Sequence, residues 1–221
     1  MNLSGEVGLS WVLVGWLGAL MMVIWSLRHA PWHKVMGDSG AQSVFFGMTV
    51  IVLLIWHTDT EISNGLNFHF LLMTLPTLMF GFPFALLLSF LVTIGMTLTG
   101  SWDWALLGWN YLLMGVVPIA ITWWLAKLAY RYLDRNFFVF VLLNGFFAAV
   151  LSTVIALLLI GGVMSLSGLQ SWAVVSKQYM GLVPILALPE GFLNGFLLTA
   201  MVLFKPQWLA CFSDEVYLKG K

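Results

Sequence analysis

Charge is what this sequence has least of. Nine Lys and Arg and nine Asp and Glu make up 8% of 221 residues and cancel to a net charge of zero. A soluble domain carries about 25% charged residues, so too little polar surface exists here to face water. No basic block occurs, which excludes an electrostatic grip on nucleic acid. Cys211 is the lone cysteine, which excludes an intramolecular disulfide and a thiolate metal cluster. The opening MNLSGEVGLS has no Lys or Arg ahead of the first apolar run and no small-residue cleavage pattern, so that run is expected to be a retained helix. Enzyme signatures are missing too: HExxH, GxSxG, a Gly-rich phosphate loop and paired Asp on two membrane helices are all absent.

What is present is apolar surface. Hydrophobic residues make up 61% of the chain and the mean hydropathy is +0.98, which marks an all-α, polytopic integral membrane protein. A spanning helix needs about 20 residues. By that measure seven spans are predicted: Leu9 to Leu27, Gln42 to Trp56, Phe68 to Phe80, Phe82 to Leu98, Ala105 to Leu125, Phe137 to Met164 and Met180 to Phe204. Pro76 removes a donor inside the third, and Gly81 with Pro83 predicts a tight turn. A single helix from Phe68 to Leu98 would run about 45 Å, too long for a bilayer, so a hairpin is preferred.

With seven spans, the loops holding Arg28 and Lys34, then Lys127, Arg131 and Arg135, and the tail with Lys205, Lys219 and Lys221 share one side. Only Lys177 falls opposite, together with Glu6, Asp59, Glu61 and Asp103. Basic residues concentrate in short cytoplasmic loops, so the N-terminus is expected outside and the C-terminus in the cytoplasm. Trp11, Trp32, Trp102, Trp104, Trp124, Trp172 and Trp208 lie near predicted span ends, as in an aromatic belt. Gly15 with Ala19, Gly145 with Ala148 and Ala149, and Gly191 with Gly195 offer faces where helices can approach closely. No repeat or low-complexity linker divides the chain, which reads as one membrane domain, 1–221, with a short cytoplasmic tail, 205–221.

Polar residues inside the spans are few: His69, Asn110, Asn144, Glu190 and Asn194. Such residues are costly in a membrane and mark functional sites by default. Glu190 and Asn194, four apart, share a helical face; Glu190 is open to three readings, as ligand, proton carrier or structural acceptor. His69 and Met73 are also four apart, so imidazole and thioether are candidate metal ligands, although Met is more often core filler. His57, Asp59 and Glu61 precede His69 and either attract a cation or form a solvated loop. His29 and His33 sit among Arg28 and Lys34 and read as interfacial. A protease built from Ser89 or Ser152 with His69 lacks any supporting motif, and a haem held by His57 and His69 would have both ligands near one end.

The stretch FHFLLMTLPTLMFGFPFALLLSFLVTIGMTLTGSWDWALLGWNYLLMGVVP resembles the core of the CbiM/NikM group, the cobalt- or nickel-capturing membrane components of energy-coupling-factor transporters. In that group a His opens a helix, a Gly-containing turn leads to another apolar helix, and a loop precedes LGxNxLxMxxxP. PEGFLNGFLLTAMVLFKPQW resembles its last span. Together the two cover rather more than half the chain. The resemblance implies seven helices, an outside N-terminus, and a bacterial inner-membrane subunit that captures a divalent transition metal. It also implies partners, a transmembrane coupling protein and two ATPases, with no permanently bound cofactor.

His69 falls on the position of the family's metal-ligating His. Members that bind nickel or cobalt begin with Met-His, whose amine, backbone amide and imidazole complete a square-planar site. This chain begins Met1, Asn2 and has no further His until His29. The amine of Met1 remains while the second imidazole is gone, and the chain is closer to a divergent branch of the family. The expected function is capture of a divalent transition-metal cation of the cobalt or nickel class for transport, with copper as a further candidate substrate. The alternative is a non-transporting scaffold or assembly factor that keeps the fold without the site.

Overall fold

In a bilayer an unpartnered backbone N–H or C=O is too costly to leave open, so an apolar run must close its hydrogen bonds within itself. The computed structural model of the protein describes residues 2–58, 60–63, 66–212 and 217. Six helices among them are long and apolar enough to cross a membrane: α1 (Leu9–His29), α2 (Ser39–His57), α3 (Thr74–Leu98), α4 (Trp104–Tyr132), α5 (Phe137–Leu166) and α6 (Trp172–Phe204). The helical architecture is as expected, with one short addition before α3. There β1 (Thr60–Ser63) pairs antiparallel with β2 (Leu66–Phe68), Thr60 opposite Phe68 and Glu61 opposite Asn67.

The predicted third span, Phe68 to Phe80, is not a span. Its first half is strand end and loop, and helix begins only at Thr74. Pro76 therefore lies in the first turn of α3, where a helix has no use for the N–H that proline lacks. At Gly81 the backbone leaves helical geometry (φ 75°, ψ 172°). Leu71 O accepts from the Trp56 indole at one end of α2 (3.1 Å), and Phe80 packs on Phe45 near the other (5.4 Å). Thr99 then returns to His57, beside Trp56 (3.0 Å). The chain thus passes α2 once in each direction and reverses at Gly81. The descending arm, Thr74 to Phe80, is about 10 Å long at 1.5 Å per residue.

Each loose end of this turn has a partner. Pro83 cannot donate to the Met79 carbonyl, and Ala210 N–H takes that place (3.0 Å) while Cys211 N–H donates to Leu78 O (3.3 Å). Ser26 Oγ donates to the Pro83 carbonyl. Gly81 occupies a region of φ/ψ open essentially to glycine alone. A Cβ there would have room, its nearest neighbour being the Trp123 ring at 4.0 Å. Gly81→Ala is therefore expected to destabilise the protein through backbone strain alone, by about 1–3 kcal/mol. A thermal midpoint equal to wild type would contradict this.

The small residues seal intramolecular crossings. A Cβ on Gly108 of α4 would lie 2.3 Å from the Gly15 carbonyl carbon of α1. On α6, a Cβ at Gly191 would strike Val150 of α5 (2.5 Å), and on α5 a Cβ at Gly145 would strike Leu198 of α6 (2.8 Å). The basic loops gather at one end of the bundle. Lys34 and Asp38 line a cavity with Gln207 and Trp208, and Lys127 and Tyr130 line another with Cys211 and Phe212. The opposite end joins His57 to Thr99 and Leu3 to Asn110. Lys219, Lys221 and Asp59 lie outside the described residues.

Candidate functional site

His69 sits between β2 and α3, outside the six helices, in a segment with neither helix nor strand geometry, and is 2% exposed. Its Nδ1 is 3.2 Å from the Phe70 carbonyl oxygen. A carbonyl can only accept, so Nδ1 carries the proton and Nε2 presents its lone pair. Nε2 is buried and has no hydrogen-bond partner among the described residues. Burial, the larger cause, holds the imidazole far below the usual histidine range, at about 3, and the positive charge of the N-terminus acts the same way. A neutral imidazole with an idle lone pair is the form that binds a metal ion.

Two indoles wall this nitrogen's ring. Trp56 lies 5.1 Å from the imidazole, Trp102 lies 6.1 Å from it, and the indoles are 5.1 Å apart. Trp102 is 5% exposed, so it belongs to this buried cluster and not to an aromatic belt. Trp32, Trp104, Trp124 and Trp172 are exposed, as belt residues should be. Neither Trp56 nor the inward turn of Trp102 is visible in the sequence, because tryptophan at a helix end reads first as an anchor.

The segment after His69 is gripped from α6. Glu190 accepts from Leu71 N–H through Oε2 (2.9 Å) and from Leu72 N–H through Oε1 (2.6 Å). Asn194, one turn on, accepts from Leu75 N–H (3.1 Å) and donates to Glu190 Oε1 (2.9 Å) and to the Glu190 carbonyl (2.9 Å). Of the three readings open to Glu190, the geometry places it as acceptor for the backbone before α3. Leu72, between the two grips, has φ 50°, a left-handed conformation that costs a side-chain-bearing residue about 1–2 kcal/mol.

The N-terminal segment enters the bundle at the same end. Leu3 is 1% exposed. Its N–H donates to Asn110 Oδ1 (2.7 Å) and its carbonyl accepts from Asn110 Nδ2 (3.2 Å). A single carboxamide thus satisfies both backbone groups of a residue 107 positions away. Asn110 immediately precedes a π-helical turn, Tyr111–Val116, a feature frequent at functional sites. Met1, the candidate amine ligand, lies outside the described residues.

The other predicted residues lie apart or have other partners. Met73 is buried in the hydrophobic core. It precedes the first residue of α3, so the helical spacing that suggested a shared face with His69 does not apply. Asn144 lies in a π-helical stretch of α5 and lines the cavity of about 330 Å³ beside Lys127 and Cys211, at the basic end. There burial pushes the Cys211 thiol up to about 11, which keeps it protonated. His57 Nε2 meets Thr99 Oγ1 (3.0 Å), and His29 Nδ1 donates to its own helix at Trp25 O (2.8 Å). Ser89 and Ser152 donate to Leu86 O and Ala149 O (3.0 Å each), not to His69. Among the described residues, no three His, Cys, Asp or Glu side chains gather to hold a metal.

Residues 4–208 match the family called CbiM, the cobalt uptake substrate-specific transmembrane region. The chain belongs to the CbiM family. CbiM proteins are transmembrane, substrate-specific components of cobalt uptake, a transport role and not an enzymatic one. The matched span includes the His69 loop, Asn110 and the Glu190–Asn194 pair. A multi-pass membrane protein follows from the family and the six apolar helices together. No curated protein matches the chain.

Proposed function

We propose that this chain is the metal-capturing subunit of an energy-coupling-factor transporter in a bacterial inner membrane. It forms one membrane domain, N-terminus outside and basic tail, 205–221, in the cytoplasm. A cobalt- or nickel-class cation enters from outside and binds His69 Nε2, with the Met1 amine as second donor. Transport needs a transmembrane coupling subunit and two ATPases as partners, because this chain has no nucleotide motif of its own. The observation that carries the reading is the buried Nε2, unpartnered among the described residues, at the end of the bundle where Asn110 fastens the N-terminal segment.

The test is a titration of purified protein with cobalt, nickel, copper(I) and zinc, wild type against His69→Ala. Groups that hydrogen-bond to a metal ligand are worth about 10–100-fold in affinity, so loss of the ligand itself is expected to weaken binding by at least about 100-fold. No binding at micromolar metal in wild type would sink the proposal. That outcome would favour the second reading, a membrane scaffold for a metalloenzyme, which Asn2 in the place of a histidine supports. Co-purification with a respiratory or biosynthetic enzyme, and not with ATPases, is the expected companion result.

A further inference from the structure

We infer that Glu190 and Asn194 are positioning residues: a two-residue clamp on α6 that shapes the His69 loop and so sets where the buried Nε2 lone pair stands. The inference rests on the proposed role of His69 in metal capture.

Three consecutive features of the loop need an outside partner, and the clamp supplies each. Leu71 and Leu72 point successive N–H groups at one carboxylate, which accepts both at 2.9 and 2.6 Å. Leu75 N–H is an orphan donor of the α3 first turn, and Asn194 Oδ1 accepts it at 3.1 Å. Leu72, at φ 50°, is held in a backbone shape its side chain disfavours. Such a conformation persists only where surrounding contacts over-determine it. The carboxylate is in turn fixed by Asn194 Nδ2, which donates to Oε1 at 2.9 Å. Both Glu190 oxygens therefore hold backbone N–H groups of the loop, and the residue acts on the metal site through that loop.

Why a carboxylate and not an amide follows from counting acceptors. Glutamine offers one oxygen and turns an NH2 group toward the second backbone N–H, donor against donor. Glu190→Gln therefore keeps the volume and removes half of the grip. Asn194→Ala keeps both carboxylate oxygens for Leu71 and Leu72, frees the Leu75 N–H and removes the Nδ2 donor that steadies Oε1.

The experiment uses the full chain in detergent, with wild type, Glu190→Gln and Asn194→Ala each confirmed monodisperse. Two readouts are taken: affinity for cobalt, nickel, copper(I) and zinc, and acylation of each histidine by diethyl pyrocarbonate, resolved by peptide mass. His69 of wild type is expected to be protected. In Glu190→Gln its acylation rate should rise at least about tenfold, the worth of one buried hydrogen bond in the open population. His57, held by Thr99 at the same end, should react as in wild type, which a general loosening of the fold would not allow. Metal affinity should fall about 10–100-fold, with a smaller change in Asn194→Ala.

Unchanged His69 acylation and unchanged affinity in both variants would overturn the clamp. Should His69 become reactive in the variants while no form binds metal, the clamp stands and the capture reading falls. Should Glu190→Gln fail to fold, Asn194→Ala decides the matter by the same two readouts.

Discussion

Gly108→Ala is expected to cost at least about 3 kcal/mol, the upper end for overpacking a well-filled core. A Cβ at that position would meet the Gly15 carbonyl carbon at 2.3 Å, the Gly15 oxygen at 2.4 Å and the Trp16 nitrogen at 2.6 Å. All three are backbone atoms of α1, so no side chain can turn aside and the two helices must separate. Trp109, next in sequence, donates its indole N–H to Trp11 O (2.8 Å) across the same crossing. Asn110, next again, holds Leu3. One methyl group therefore disturbs the crossing and the anchor of the N-terminal segment together. Gly15→Ala should cost less, because its Cβ meets the Trp109 ring at 2.5 Å and a ring can swing away. Gly162→Ala, with nothing within 4 Å, should be silent. Thermal midpoints in detergent check the order. Equal midpoints for Gly108→Ala and Gly162→Ala would show that α1 and α4 do not cross here.

Truncation of Glu190 to alanine comes close behind. It strands the N–H groups of Leu71 and Leu72 in a buried loop and takes one acceptor from Asn194 Nδ2. Each buried donor left without a partner costs about 1–3 kcal/mol, so two cost about 2–6 kcal/mol. The loss is much larger than that of an exposed hydrogen bond because no solvent reaches the segment to replace the carboxylate. A midpoint within error of wild type would mean that these N–H groups find other acceptors.

How much of this was legible in the chain depends on range. Helices α1, α2 and α5 fall within a few residues of their predicted ends, because apolar length is a local property. Helix α6 begins at Trp172, ahead of the predicted Met180, since polar Ser176, Lys177 and Gln178 interrupt the apolar run without ending the helix. The segment Phe68 to Met73 reads as helix in the sequence and is not helical in the structure, because an apolar run shows that a segment is buried and not how its backbone is satisfied. Here the acceptor stands on Glu190, 119 residues from Leu71, and nothing local reports it. The pairing of Leu3 with Asn110 was hidden for the same reason. His69 was legible as costly and out of place, and the family resemblance suggested the metal-binding role proposed for it.

The arm from Thr74 to Phe80 is closed at both ends by the last part of the chain: Glu190 and Asn194 above, the N–H groups of Ala210 and Cys211 below. That sets a calendar for synthesis. Helices α1 and α2 can be laid into the membrane as they emerge, but the N–H groups of Leu71, Leu72 and Leu75 have no side-chain acceptor until α6 is complete. During translation the His69 loop must wait, unshaped, while more than a hundred residues are added. The candidate site is among the first parts of the protein to be made and the last to be finished, so a ribosome that stalls before Glu190 leaves behind a membrane protein with most of its helices and no place for an ion.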